Sequence, residues 1–172
     1  MTPAGAEPLH PNVQRVARAA ASVGLAIEVV RFPHGTRTAE DAARAVGCSV
    51  AQIVKSLVFV VDGAAVVALV SGSDRLDPER LAAALHGSSA RRADGDEVRA
   101  ATGYAIGGVP PFGHAHPLPI LIDEHLLAHA EVWAAAGLPD AVFRVAPQDL
   151  ARAAGARPAR LAADPIPRAG RA

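Results

Sequence analysis

The chain has 172 residues, the length of a single domain that can bury a hydrophobic core. Its 17 basic and 17 acidic residues give a formal net charge of zero, which excludes the overall positive field of a protein that coats nucleic acid. The single cysteine, Cys48, excludes an intramolecular disulfide, and the N-terminal residues lack the apolar segment of a signal peptide. We therefore expect a cytoplasmic single-domain protein without a membrane-spanning segment.

The first quarter of the chain predicts two helices with a strand between them. Asn12 is a suitable N-cap for a helix that ends at Gly24 and has small apolar residues on one face. Residues 26–32 alternate and are rich in β-branched side chains, which predicts a strand. A second helix is predicted to begin after Thr38, as its N-cap, and to end at Gly47.

A β-hairpin is the strongest local prediction from the sequence. Two β-rich segments, residues 53–61 and 64–71, are joined by Asp62-Gly63. Asp-Gly between two such segments is typical of a two-residue hairpin turn. Both faces of the hairpin are apolar, so we expect a central pair of strands that is buried on both sides.

Short helices and strands are predicted through the second half of the chain. They are helices that begin at Asp77, Asp94 and Pro147 and strands at residues 119–123, 131–135 and 141–145. From Gly155 onward the sequence is a mixture of Arg, Pro, Ala and Gly without periodicity. We therefore predict an α+β domain over residues 12–154, with flexible tails at residues 1–11 and 155–172.

Lys55 is the only lysine in the chain, since the other 16 basic residues are arginines. It lies in the first hairpin strand and shares a strand face with Leu57 and Phe59. An unpaired cation on an apolar strand face costs about several kcal/mol. The side chain either extends to water or lines a cleft, where it would meet a phosphate or a carbonyl. Its position and uniqueness favour the cleft.

The segment Thr102–His114 contains paired glycines followed by paired prolines. Glycines allow the backbone to approach a ligand closely, and prolines stiffen the turn that follows. Loops of this composition are usually structural turns, but their free N–H groups can also hold an oxyanion. The loop is neither a Walker loop nor a dinucleotide-binding motif.

Two pairs of histidines are candidate metal ligands. His114 and His116 form an H-x-H pair, and His125 and His129 have the spacing that places both on one face of a helix. No H-E-x-x-H motif is present, and the one cysteine is distant in sequence. We expect no metal and no other cofactor. A hydrolase that uses a histidine-bound metal is kept as a less favoured hypothesis. A serine-hydrolase triad has no support, because no G-x-S-x-G motif occurs.

The motifs and their order resemble the YbaK/prolyl-tRNA editing-domain family of aminoacyl-tRNA deacylases. The resemblance extends from about Val13 to Leu150. It rests on residues 51–59, 68–72 with 75–77, 102–114, 117–123 and 132–137. It implies a curved, mixed and largely antiparallel sheet that is partly barrel-like and surrounded by short helices. It also implies a pocket between this sheet and the glycine-proline loop.

The resemblance implies hydrolysis of the ester between a mischarged amino acid and tRNA, often tRNA for proline, without a side-chain general base. Lys55 occupies the position of the family's pocket lysine, and Gly107–Pro111 that of its Gly-x-x-x-Pro loop. Lys55 would hold the 3′-terminal phosphate or ribose, and the N–H groups around Gly107 and Gly108 would stabilise the oxyanion. We assign these three residues to catalysis. Substrate binding is assigned to Ser71, Pro110, Pro111, Phe112 and His114.

The resemblance does not identify the amino acid that is removed. Cysteinyl-specific members of the family carry a serine and an aspartate where this chain has Ala134–Ala136 and Ala141-Val142.

The expected partners are the acceptor end of a mischarged tRNA and an aminoacyl-tRNA synthetase, and the protein is expected to be a monomer or a weak homodimer. The alternative is a non-catalytic module of the same fold that binds tRNA or a synthetase.

Overall fold

The structure is a computed structural model that describes residues 9–32 and 36–165. Within these ranges six short helices surround eight strands, which confirms the predicted α+β class. The helices are α1 (Pro11–Ser22), α2 (Ala39–Val46), α3 (Pro78–Ala84), α4 (Gly95–Thr102), α5 (Glu124–Leu127) and α6 (Pro147–Ala154). The strands are β1 (Val29–Arg31), β2 (Val54–Val61), β3 (Ala64–Ser71), β4 (Ala90–Arg92), β5 (Ile120–Asp123), β6 (Val132–Ala135), β7 (Ala141–Val145) and β8 (Arg157–Ala159). In the described ranges, none of the helices has the length and apolar character needed to cross a bilayer.

The strands form two sheets, and neither of them is closed. The larger sheet has the order β4-β2-β3-β5-β8, and the smaller has the order β1-β7-β6. Pairing is antiparallel throughout except for β3 with β5 and β5 with β8. A parallel bridge between Ile53 and Trp133 joins the sheets where β2 begins. The predicted mixed, largely antiparallel arrangement is confirmed, and it is divided between two sheets.

The predicted hairpin of β2 and β3 is confirmed. Asp62 and Gly63 both have positive φ angles, 48° and 85°, as a type I′ turn requires. Alternate residues of β2 face opposite cores: Val58 packs toward α1 and the smaller sheet, and Phe59 packs toward α3. The hairpin is therefore the central, doubly buried pair that its two apolar faces predict.

Capping residues set most of the helix boundaries, as the sequence predicts, but not that of α1. The side chains of Thr38, Asp77 and Asp94 accept N–H groups at the starts of α2, α3 and α4. In α1 the N-cap is His10, whose Nδ1 accepts the N–H of Asn12. The predicted cap at Asn12 is wrong, because a proline fits the first helical turn and shifts the start to Pro11.

The C-terminal boundary of the domain also differs from the prediction. Residues 155–165 are not a tail, because β8 pairs in parallel with β5 and Leu161 is fully buried beyond it. The N–H groups of Leu161 and Ala162 both donate to the buried carboxylate of Asp123. A three-residue strand whose partner is distant in sequence leaves no periodic signal. Residues 1–8 and 166–172, which were also predicted to be tails, and the predicted turn at residues 33–35 lie outside the described residues.

Candidate functional site

A cavity of about 520 Å³ opens where β2 loses its neighbours on one side. β4 pairs only with Phe59–Val61, and β6 meets the chain at Ile53, so residues 54–57 have no strand on that edge in the described structure. The cavity fills this gap between the two sheets. Besides residues 53–58, its walls are Thr36–Ala39 and Ala42, Arg92 and Ala93, Val98, Ile106, Gly107, Val109, Trp133, Ala135, Pro139 and Val142.

The polar groups of β2 contribute to this open edge. Because the two-residue turn pairs Val61 with Ala64, the main-chain groups of residues 55, 57 and 59 point toward β3. Those of Val54 and Ser56 consequently point to the edge that borders the cavity. The Ser56 hydroxyl is buried and has no hydrogen-bond partner within the part of the chain that the structure describes. Ser56 therefore contributes an unpaired buried hydroxyl beside the cavity, and the sequence gives no indication of this.

The charges that the described residues bring to the cavity lining are all positive. Arg37, Lys55 and Arg92 belong to the lining, and no aspartate, glutamate or histidine of residues 9–32 and 36–165 does. Neither of the two arginines forms an ion pair with any residue in the described ranges. The chain is neutral overall, so this cationic cavity is a local feature of the kind that attracts a phosphate or a carboxylate. Sequence analysis identified Lys55 and missed both arginines.

Lys55 lines the cavity from β2, as the cleft interpretation predicts. Its ammonium donates a hydrogen bond of 2.5 Å to the main-chain carbonyl of Asp74, in the loop that follows β3. Burial lowers the pKa of Lys55 from its ordinary value, and the charge of Asp74 opposes part of that shift. One acceptor leaves the other N–H groups of the ammonium free to bind a ligand.

The two glycines that were assigned to catalysis have different environments. Gly107 lines the cavity with a φ of +92°, and its N–H donates no hydrogen bond within the described residues. The N–H of Gly108 donates to the carbonyl of Ala105 at 3.0 Å, so this amide is not free for an oxyanion. The prediction for Gly108 is corrected on this point: it closes the turn that presents Gly107.

Gly108→Ala is expected to lower the free energy of unfolding by about 1–3 kcal/mol, because an added methyl group has no room. Its Cβ would lie 3.0 Å from the Cα of Leu138 and 3.1 Å from the carbonyl oxygen of Gly137. Gly95→Ala is the matched control, since the nearest atom to its Cβ would be Ile106 Cδ1 at 3.9 Å. Urea unfolding of the two variants measures the difference, and equal midpoints would contradict the close packing.

The residues assigned to substrate binding do not line the cavity. Phe112 is 5% exposed and packs in the core against Phe143, with ring centroids 5.7 Å apart. The hydroxyl of Ser71 is buried and donates to the carbonyl of Ala51. Pro110 and Pro111 are also buried, which fits a stiff support for the loop.

His114 is also outside the cavity lining. Its Nε2 donates to the carbonyl of Pro110 at 2.7 Å, and burial lowers its pKa from the ordinary value. A neutral imidazole bonded to the loop backbone braces the turn. The geometry gives His114 and the other four residues no direct contact with the cavity.

Neither predicted histidine pair forms a cluster of metal-binding atoms in the described part of the chain. The residues that do come together are Asp74, Asp123 and His125, whose donor atoms lie within 4.8 Å of one another. These atoms already bond to each other and to backbone N–H groups: His125 Nδ1 lies 2.7 Å from Asp74, and Asp123 accepts three N–H groups. We interpret this cluster as an ion-pair network.

The chain is similar to several known proteins. Residues 34–153 match the family described as the aminoacyl-tRNA editing domain. The chain is 32% identical over 123 residues to the uncharacterized protein YwhH of Bacillus subtilis, covering 72% of this chain and 78% of that protein. It is 34% identical over 118 residues to a proline–tRNA ligase of Acidithiobacillus ferrooxidans, covering 69% of this chain but only 20% of the ligase.

A solved structure has the same fold over most of the length of this chain. It is described as a proposed trans-editing enzyme for prolyl tRNA synthetase, and it shares 48% sequence identity with this chain. The superposition has a TM-score of 0.86 and covers 91% of this chain and all of the other.

Proposed function

This chain belongs to the aminoacyl-tRNA editing domain family, and from that premise we propose that it is a cytoplasmic trans-editing deacylase of mischarged tRNA. The reaction is hydrolysis of the ester between the amino acid and the terminal adenosine. The observation that carries the proposal is the cavity itself, which combines Arg37, Lys55 and Arg92 with an apolar wall and has no carboxylate from the part of the chain that the structure describes. An aminoacylated 3′ end has the complementary chemistry, namely phosphates beside a small uncharged side chain.

The cations of the cavity would bind the acceptor end. Lys55 combines a defined position with free N–H groups, so it is suited to hold the terminal phosphate or ribose by charge-assisted bonds. Arg37 and Arg92 are exposed and unpaired within the described ranges, and they would contact neighbouring phosphates. Because the chain is otherwise neutral, affinity for the rest of the tRNA should be weak and sensitive to salt.

The ester carbonyl would lie near Gly107, whose free N–H is a suitable donor to a developing oxyanion. Among the described residues, the cavity lining offers no side-chain general base, since none of those that line it is a histidine or a carboxylate. The proposed chemistry therefore uses a bound water and the neighbouring ribose hydroxyl of the substrate. The loop supplies position and electrostatic stabilisation.

The apolar wall would select the amino acid by size. Ala39, Ala42, Ala135 and Val142 leave space for a small side chain and offer it no ionic partner. A larger cognate amino acid would be excluded, as in the second sieve of an editing enzyme. The similarity to proline–tRNA ligases makes tRNA for proline the first substrate to test and a synthetase a proposed partner.

A panel of mischarged tRNAs tests the proposal. Alanine, cysteine, serine and threonine are attached to proline tRNA, and the last three also to alanine tRNA. Release of each amino acid is followed against spontaneous hydrolysis. We expect accelerated release for at least one small amino acid and none for prolyl-tRNA. Rates equal to spontaneous hydrolysis across the panel, together with measurable tRNA binding, would favour the non-catalytic module instead.

A further inference from the structure

The loop that follows β3 joins Lys55 to a second charged group outside the cavity. Asp74 contributes two different acceptors in this loop. Its main-chain carbonyl accepts the Lys55 ammonium, and its carboxylate accepts Nδ1 of His125 at 2.7 Å. The side chain of Asp74 is 21% exposed. The loop is thus attached through this residue to Lys55 by the main chain and to His125 by the side chain. Whatever fixes the carboxylate of Asp74 therefore also fixes the carbonyl that orients Lys55.

His125 is itself held from the core of the domain. It lies at the start of α5, where its N–H donates to Asp123 at 3.0 Å. Asp123 is 1% exposed, and its other oxygen accepts the N–H groups of Leu161 and Ala162. A continuous set of hydrogen bonds thus leads from the C-terminal segment through His125 and Asp74 to Lys55.

The groups around His125 are mostly acidic. Asp74 and Asp123 face the imidazole, and Glu124 precedes it on α5. Of the elements packed against α5, β3 carries no charge and β5 contributes only Asp123. In α6, Asp149 and Arg152 form an ion pair with each other at 3.0 Å. Arg80 of α3, whose charge interacts with that of Asp123, bonds to Asp164.

We propose that His125 and Asp74 are positioning residues for Lys55: the imidazolium fixes the Asp74 carboxylate, and the Asp74 carbonyl then holds the ammonium toward the cavity. Neither residue lines the cavity, so the effect on a ligand passes through Lys55. The coupling itself is a property of the folded chain. Its effect on catalysis rests on the deacylase function proposed above.

The coupling depends on pH in a defined direction. The hydrogen bond to Asp74 raises the pKa of His125 above its ordinary value of 6.5. The charged pair is therefore fully formed below the ordinary histidine pKa and is lost as the pH rises through the raised pKa. Lys55 should become less ordered over the same interval.

The uniqueness of Lys55 allows a direct test by NMR. Protein labelled with ¹³C-lysine gives one lysine Cε signal, whose pH dependence and order parameter are measured from mildly acid to mildly alkaline pH. We expect an inflection at the pKa of His125 and a falling order parameter above it. His125→Ala should abolish the inflection and leave the signal mobile throughout. His129→Ala, which removes an imidazole from the next turn, should behave like wild type.

Asp74→Asn is the second variant, because it keeps the carbonyl and removes the charge. Its Lys55 signal should resemble that of His125→Ala, and the double variant should show no additional change. A Lys55 signal with the same pH dependence and order parameter in wild type and in His125→Ala would overturn the inference. This experiment needs no tRNA, so its outcome is independent of the proposed activity.

The kinetic consequence is measured separately on a deacylation substrate. His125→Ala should raise KM about fivefold at mildly acid pH and change kcat less, a factor typical of a partly exposed ion pair. Wild type should approach the KM of the variant as the pH rises. Coupling in the NMR experiment without deacylation by wild type would overturn the proposed function and leave the positioning role intact.

Discussion

Lys55→Ala is expected to lower kcat/KM for deacylation by about 100-fold and to leave the fold intact. Of the three cations that the described residues bring to the cavity, Lys55 is the one that is partly buried and held by a hydrogen bond through its side chain. Its removal takes charge-assisted bonds from the 3′ end in a desolvated place, where such bonds are strongest. Arg37 and Arg92 are exposed, so in the variant they would still attract tRNA to the cavity. They would not hold its 3′ end in the position for hydrolysis.

Two further variants make the test specific. Lys55→Arg keeps the charge but replaces a compact ammonium with a planar, wider group, and it should recover at most about a tenth of the wild-type rate. Arg91→Ala is the control, because Arg91 neighbours Arg92 but pairs with Glu97 outside the cavity. It should stay within about twofold of wild type. Release of amino acid from the substrate identified by the panel is measured, and full activity of Lys55→Ala would remove Lys55 from the site.

Asp123→Ala is expected to lower the free energy of unfolding by about 3–5 kcal/mol, the largest stability effect that we expect from one substitution. The carboxylate accepts the N–H groups of His125, Leu161 and Ala162, and the two from the C-terminal segment are buried. Alanine would leave these donors without acceptors. The segment that carries β8 should then separate from β5 before the rest of the domain unfolds.

Asp123→Asn separates the hydrogen bonds from the charge. Its amide oxygen can still accept from Leu161 and Ala162, but its NH₂ group would face the N–H of His125, so a loss of about 1–2 kcal/mol is expected. Asp149→Ala, which breaks an exposed pair with Arg152, should change stability by less than about 0.5 kcal/mol. Urea denaturation followed by circular dichroism measures all three, and a loss below about 1 kcal/mol for Asp123→Ala would contradict this role.

Sequence reasoning succeeded where the determining interactions are local. The Asp62-Gly63 turn and the caps at Thr38, Asp77 and Asp94 depend on residues within a few positions of one another, and the structure has them as predicted. Lys55 could be identified because its strand, its apolar neighbours and its uniqueness are all visible in the sequence. The cavity lining includes it.

The remainder of the site depends on contacts between distant segments. Arg37 and Arg92 reach one cavity because α2 begins beside the smaller sheet and β4 pairs with β2, and a three-residue strand that ends in two arginines has no strand signal. The difference between Gly107 and Gly108 depends on one turn hydrogen bond, to Ala105. Phe112 has the composition of a pocket residue, but its position relative to Phe143 decides that it belongs to the core.

Trp133, which bridges the two sheets at Ile53, also gives the protein an internal optical reporter. It is the only tryptophan in the chain, and its side chain belongs to the cavity wall. The only tyrosine, Tyr104, is 1% exposed and does not line the cavity. Indole fluorescence therefore originates from one wall of the candidate site. Binding of an acceptor-end oligonucleotide to that site can therefore be followed by titration, from the change in Trp133 fluorescence of unlabelled protein.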